Sequence, residues 1–210
     1  MNRRQSAGGS RGDGRTRLLD TAEELLDRHG IDGVSVRTVT KASGHRNSSA
    51  VNYHFGNREQ LVAAVLQRRQ VIVEERRSKL LDELEQAGAL DARAAVEAAV
   101  RPLADMLDCP EGRSYLRLLH QATNHPDYFR YTIADFAPSI LRTGTAVMPM
   151  VEHLPPDRRQ HRLRLGIGMA LNALADQARL LDSAEPPRPV LDRDTFTMDL
   201  VDVIVAALRA

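Results

Sequence analysis

At 210 residues, 42% apolar and 27% charged, the chain has the size and balance of a globular protein made of a small domain and a larger one. Its apolar runs are too short for a membrane span, the N-terminal MNRRQSAGGSRGDGR lacks the apolar core of a secretory signal, and a single cysteine, Cys109, excludes an internal disulfide or a thiolate zinc site. A reducing cytoplasm is the expected compartment. The net charge of +1 conceals an asymmetry: residues 1–60 hold ten Arg/Lys against seven Asp/Glu, and residues 61–210 hold nineteen against twenty-one.

Taken in chain order, residues 1–13 are rich in Gly, Ser and Arg and are expected to form a disordered basic tail. A helical period begins at Thr16 and runs through Leu18, Leu19, Ala22, Leu25 and Leu26 to Gly30. Ser35 is placed to cap a helix over Val36–Ala42, which Gly44 stops. Asn47 or Ser48 caps the next helix, roughly Ser49–His54. Asn57, with Gln60 three residues on, begins a long helix from Arg58 to about Glu85. Beyond it, Asp91 caps a segment that Pro102 should bend. Ser114–Asn124 reads as a short amphipathic helix, and a further helix opens at Pro126 and is interrupted by Pro138. Long helices then run from Pro156 to about Leu181 and from Asp194 to Leu208. No alternating apolar pattern of useful length occurs, so the fold class is all-α with about nine helices. The domain division is expected at 14–60 and 61–210.

The chemistry concentrates in VRTVTKASGHRNSSAVNYHFGNREQLVAAVL, residues 36–66. No acidic residue lies between Asp32 and Glu59, whereas Arg37, Lys41, Arg46 and Arg58 all do. Two short helices around a glycine turn, the second polar and flanked by cations, form the pattern of a helix-turn-helix that reads the major groove. Arg37 and Thr38 open the first helix of the pair, and an arginine there can reach a guanine edge or a phosphate. Arg46 and Asn47 lie in the turn. Ser48, Ser49 and Ala50 are short enough to let the second helix approach a duplex closely. Asn52, Tyr53 and His54 are its longer groups, and Arg58 at a helix start is expected to hold a phosphate. Val39, Val51, Phe55 and Leu61 are the expected core.

These residues resemble the N-terminal domain of the tetracycline-repressor (TetR) family over roughly residues 16–66. They share its first helix ending in His-Gly, its Ser-capped second helix and its short third helix ending in His54-Phe55. Two features depart from the family pattern: the GHRNSS turn is one residue longer, and Asn52 and Tyr53 stand where a single tyrosine is usual. The resemblance implies a DNA-binding regulator, in most members a repressor, that binds an inverted-repeat operator in double-stranded DNA and is released by a small apolar effector. It would be cytoplasmic and nucleoid-associated, with no cofactor, metal or membrane partner. The implied effector cavity would lie among helices carrying Met106, Leu107, Tyr115, Leu119, His120, Phe129, Phe136, Ile140 and Met148.

The last two helices are apolar on more than one face, which suggests a homodimer interface. The stripe Leu163, Ile167, Ala170, Leu171, Leu174 and Ala178, with Phe196, Leu200, Val203 and Ile204, is its expected lining. The alternatives are a helical enzyme and an interaction module that does not bind DNA. The first lacks any nucleophile motif, His-x-x-x-His pair or phosphate loop, and the second leaves the acid-free basic stretch without a purpose.

Overall fold

The computed structural model describes residues 9–45, 49–125, 128 and 138–210, with side chains from residue 14 onward. The described residues form nine helices and no strand: α1 Gly9–His29, α2 Val36–Ala42, α3 Ser49–Phe55, α4 Arg58–Gln86, α5 Ala92–Ala104, α6 Pro110–Asn124, α7 Pro138–Val147, α8 Pro156–Asp182 and α9 Arg193–Arg209. They fall into two compact units, one ending at Arg68 and the other starting at Arg69. The expected division at 60/61 therefore lies too early. It cuts α4 near its start, where Leu61, Val62, Val65 and Leu66 are still buried.

In the first unit each helix boundary has a local chemical cause. Gly30, at φ 70, ends α1 by donating its N–H to Leu26 at 2.8 Å. Ser35 Oγ accepts the N–H of Thr38 at 3.1 Å and starts α2. Asn57 Oδ1 accepts the N–H of Gln60 at 2.8 Å and starts α4. The core contains Leu18, Ala22, Leu26, Val39, Val51 and Leu61, all fully or almost fully buried, with Phe55 at its edge. Arg15 lies over the Phe55 ring, 5.0 Å from its centroid. Arg68 joins α4 to α1 through Asp20 at 2.8 Å and Glu23 at 2.9 Å. Helix α1 begins at Gly9, so residues 9–13 are helical, contrary to the expected disordered tail; residues 1–8 lie outside the description. Extending a helix already nucleated at Thr16 costs far less than starting one.

In the second unit α6 and α8 form the most extensive pairing, α9 packs on both α5 and α8, and α7 packs on α5. Asp91 Oδ1 accepts the N–H of Ala94 at 2.7 Å and caps α5, which continues through Pro102 into a 3-10 turn over Asp105–Asp108. Pro138 is the first residue of α7, in keeping with the tolerance of a first helical turn for proline, and the segment expected to be helical from Pro126 up to it lies, except for Tyr128, outside the described residues. Cross-links of Arg113 to Asp182 at 2.6 Å and of Arg142 to Asp82 and Glu85 at 2.8 and 2.9 Å tie the helices at the unit's rim.

Gly44 has φ 77, and a Cβ built there would meet nothing within 4 Å. Its requirement is therefore conformational alone. Gly44→Ala should destabilise the first unit by roughly 1–2 kcal/mol, and Gly44→Asn by less, in chemical denaturation. Equal losses for the two variants would show that the left-handed backbone is not the cause.

Candidate functional site

Helix α3 has only seven residues, and its two faces differ completely. Val51 and Phe55, four apart, are buried. Ser49, Asn52 and Tyr53 are exposed on the opposite side, Tyr53 to 68%. Ala50 and His54 flank the two faces and are half-buried. The side chains best able to hydrogen-bond a base edge or a phosphate thus share one open surface. Arg37, Thr38 and Lys41 are exposed on α2, which packs directly against α3. Thr38 is committed locally, its hydroxyl lying 2.8 Å from Ser35 Oγ, so Arg37 and Lys41 are the long donors of that helix. Arg46, Asn47 and Ser48 lie outside the described residues.

Two expected DNA contacts, Arg58 and His54, also face other parts of the protein. Arg58 donates from Nε to the carbonyl of Val34 at 2.8 Å and from Nη2 to that of Ile31. Its guanidinium satisfies the α1–α2 loop and joins it to the start of α4. The helix-start pattern alone could not show that two carbonyls from a distant loop would reach it first. His54 turns its ring towards α1: a Cβ at Gly14 would lie 3.7 Å from His54 Nε2 and 3.5 Å from His45 Nε2. Both imidazoles therefore lie near α1, at ordinary contact distance from a side chain at that position.

The second unit contains apolar space in two adjacent parts. One, of about 410 Å³, is lined by Val96, Ile140, Val147, Met148, Leu163, Gly166, Ile204 and Leu208 among others. A smaller one of about 100 Å³ is lined by Gln70, Arg77, Leu103, Leu119, Thr123 and Leu171. They share Ala99, Val100, Ile140, Ile167 and Ala170. Of the expected effector residues, Leu119, Ile140 and Met148 line this space. Met106, Leu107 and Tyr115 are buried and half-buried His120 lies beside them in sequence, and none of the four lines either part; Phe129 and Phe136 lie outside the described residues. Burial, then the nearby charge of Arg179, lowers the His120 pKa. Tyr115 acts from behind the wall. Its hydroxyl donates to Gln70 Oε1, and burial drives its phenol pKa well above the ordinary range.

Arg77 and Gln70 are the polar residues that reading from sequence missed. Arg77 is 2% exposed. It stands in the stripe Leu66, Gln70, Val73, Arg77 and Leu81, whose spacing of three and four residues follows the buried face of α4. An arginine on an apolar stripe was the available signal, hidden by the many charges around it. Burial pushes its pKa down, and Glu74 partly offsets this.

The expected dimer lining also needs correction. Ala170, Leu171, Leu174, Ala178, Leu200 and Ile204 are buried within the chain, and Leu163, Ile167 and Phe196 are half-buried. Only Val203, at 53% exposure, faces solvent openly. The most continuous apolar stripe marks the intrachain core. The outward surfaces of α8 and α9 instead expose Leu165, Leu181, Met198 and Val203.

Residues 18–65 match the family described as bacterial regulatory proteins, tetR family, and residues 97–207 match a tetracyclin repressor-like C-terminal domain. No curated protein matches the sequence. Among solved structures, native NalD, the secondary repressor of the MexAB-OprM multidrug efflux pump in Pseudomonas aeruginosa, is similar at TM-score 0.63 and 19% identity, over 94% of this chain and 98% of NalD. A protein described as a transcription regulator from Lactobacillus plantarum is similar at TM-score 0.63 and 16% identity, over 90% of this chain and 97% of its own. At such identities the similarity concerns the fold.

Arg58→Ala should lower the unfolding free energy by about 1–3 kcal/mol, because two buried carbonyls lose a charged donor. The salt dependence of DNA binding by the folded variant should keep its slope. A slope reduced by about one unit with unchanged stability would restore Arg58 as a phosphate contact.

Proposed function

Because the chain belongs to the tetR family of bacterial regulatory proteins, we propose that it represses transcription as a homodimer on an inverted-repeat operator and leaves the operator when a small molecule enters its helical unit. It is a DNA-binding transcription regulator, not an enzyme. The observation that carries the finer reading is the open face of α3, where Ser49, Asn52 and Tyr53 stand together beside exposed Arg37 and Lys41 of α2. Asn52 can pair with an adenine edge, Arg37 with a guanine edge or a phosphate, and Tyr53 and Ser49 with phosphates. Each chain carries one such helix. A seven-residue helix reads only a few base pairs, so two copies related by a two-fold axis supply the length of a specific site.

The repressor reading is supported by NalD, a repressor of the same fold. The dimer reading is supported by Leu165, Met198 and Val203, which leave the outer faces of α8 and α9 without apolar cover in the single chain. The effector reading is supported by the 410 Å³ apolar cavity, within the size range of small-molecule sites, about 300–1,000 Å³. A differential affinity of about 1–3 kcal/mol between two states of the helical unit would change operator binding 5–150-fold, and operator would weaken effector binding by the same factor. A cytoplasmic, nucleoid-associated site of action is part of this reading, because the DNA target lies there; among the described residues no helix is long and apolar enough to cross a membrane.

DNA selected from a random-sequence pool should contain an inverted repeat with half-site centres about 34–36 Å apart, or one further turn, and footprinting should protect it symmetrically. Arg37→Ala should weaken binding to the selected site by about 1–3 kcal/mol. Selection of no common sequence by folded protein would count against an operator-reading role, and a single unsymmetric half-site would count against the dimer.

A further inference from the structure

We infer that the helical unit binds an amphipathic monoanion, with an apolar body in the cavity and a carboxylate held by Arg77. The inference rests on the reading of that unit as an effector domain and specifies what it recognises.

Among the described residues that line the space, Arg77 alone is charged. The 410 Å³ part is lined mostly by aliphatic side chains, with Thr143 and Thr145 among them, and the smaller part adds Gln70, Arg77 and Thr123. Arg77 is an incompletely paired cation. Its Nη1 lies 3.4 Å from both Glu74 Oε2 and Ser139 Oγ, at the edge of hydrogen-bond range. Among the described residues its buried Nε has no acceptor. Glu74 does not make up the difference. Its carboxylate is taken up by Ser139, which donates its N–H at 2.8 Å and its hydroxyl at 2.6 Å.

A buried guanidinium with an unused N–H is costly unless something completes it. Thr123 donates its hydroxyl to the Leu119 carbonyl at 2.8 Å and Gln70 offers a neutral amide, whereas the guanidinium has a planar fork that matches a carboxylate in two parallel hydrogen bonds. The site therefore favours one negative charge beside Arg77. The 410 Å³ part favours a hydrocarbon or aromatic body, because its lining is mostly aliphatic and includes no charged residue.

The test uses the full chain and probes of known chemistry. The straight-chain carboxylates from hexanoate to dodecanoate, their methyl esters and the matching n-alcohols are titrated below their micelle concentrations by calorimetry. On the unmodified protein the best carboxylate should bind at least about 10-fold tighter than its ester and alcohol, as expected for one charge-assisted contact. Arg77→Met, of similar length and apolar, should abolish that preference while retaining the alcohol. Arg77→Lys, which keeps the charge, should recover part of it. If Arg77→Met does not fold, the comparison of acid, ester and alcohol on the unmodified protein still decides. Equal affinity for acid and ester would overturn the inference, as would carboxylate binding unaffected in folded Arg77→Met, or no binding of any series. DNA binding measured on the same preparations separates the two levels. Intact DNA binding without carboxylate binding refutes the anion site alone, whereas loss of both in folded protein would refute the regulator reading as well.

Discussion

Helices α2 and α3 are seven residues each, too short to persist in water on their own. They exist because one face of each is buried: Val39 and Thr40 on α2, Val51 and Phe55 on α3. That constraint determines the DNA-facing surface. Once Val51 and Phe55 are fixed against the core, the helical period leaves Ser49, Asn52 and Tyr53 no direction but outward. Arg58 completes the arrangement by satisfying the carbonyls of Ile31 and Val34, in the loop that leads into α2. Its charge is used to order the chain, and the exposed polar groups of α3 are left facing outward.

The helical unit obeys a different constraint. Its core is ordinary aliphatic packing except at Arg77, where a cation sits almost wholly out of water with a half-made ion pair. Replacing such a pair with apolar residues is often neutral or stabilising, so its presence is not explained by stability alone. It lines the smaller of two adjacent apolar spaces, and a ligand that neutralises it would bind with a directional contact rather than by apolar burial alone. Helix α4 contributes residues to both units: Leu61 to the first core, Gln70 and Arg77 to the cavity wall of the second.

Much of the first unit was legible in the sequence because its boundaries are set locally. Ser35, Gly44, Asn57 and Gly30 act within four residues of where they stand, and the periodic core of α1 repeats without interruption. Roles that depend on a distant partner were not legible. Arg58 reads as a free helix-start cation until the carbonyls of the preceding loop are placed beside it. Arg77 reads as one charge among several until its face is known to be buried. The expected dimer lining has a related origin: periodicity finds the strongest apolar stripe of α8, and the chain largely covers that stripe itself. Leu165, Met198 and Val203 are scattered by comparison, and only the fold reveals that they stay exposed.

The central claim is that α3 divides its work between a buried face that maintains the helix and an open face that reads DNA. The most direct test is the paired measurement of stability and DNA affinity for Asn52→Ala combined with Tyr53→Ala. The account predicts an unfolding free energy within about 0.5 kcal/mol of the unmodified protein, as for surface substitutions in general, together with loss of binding to DNA selected by that protein. Unchanged binding by the stable double variant would contradict it.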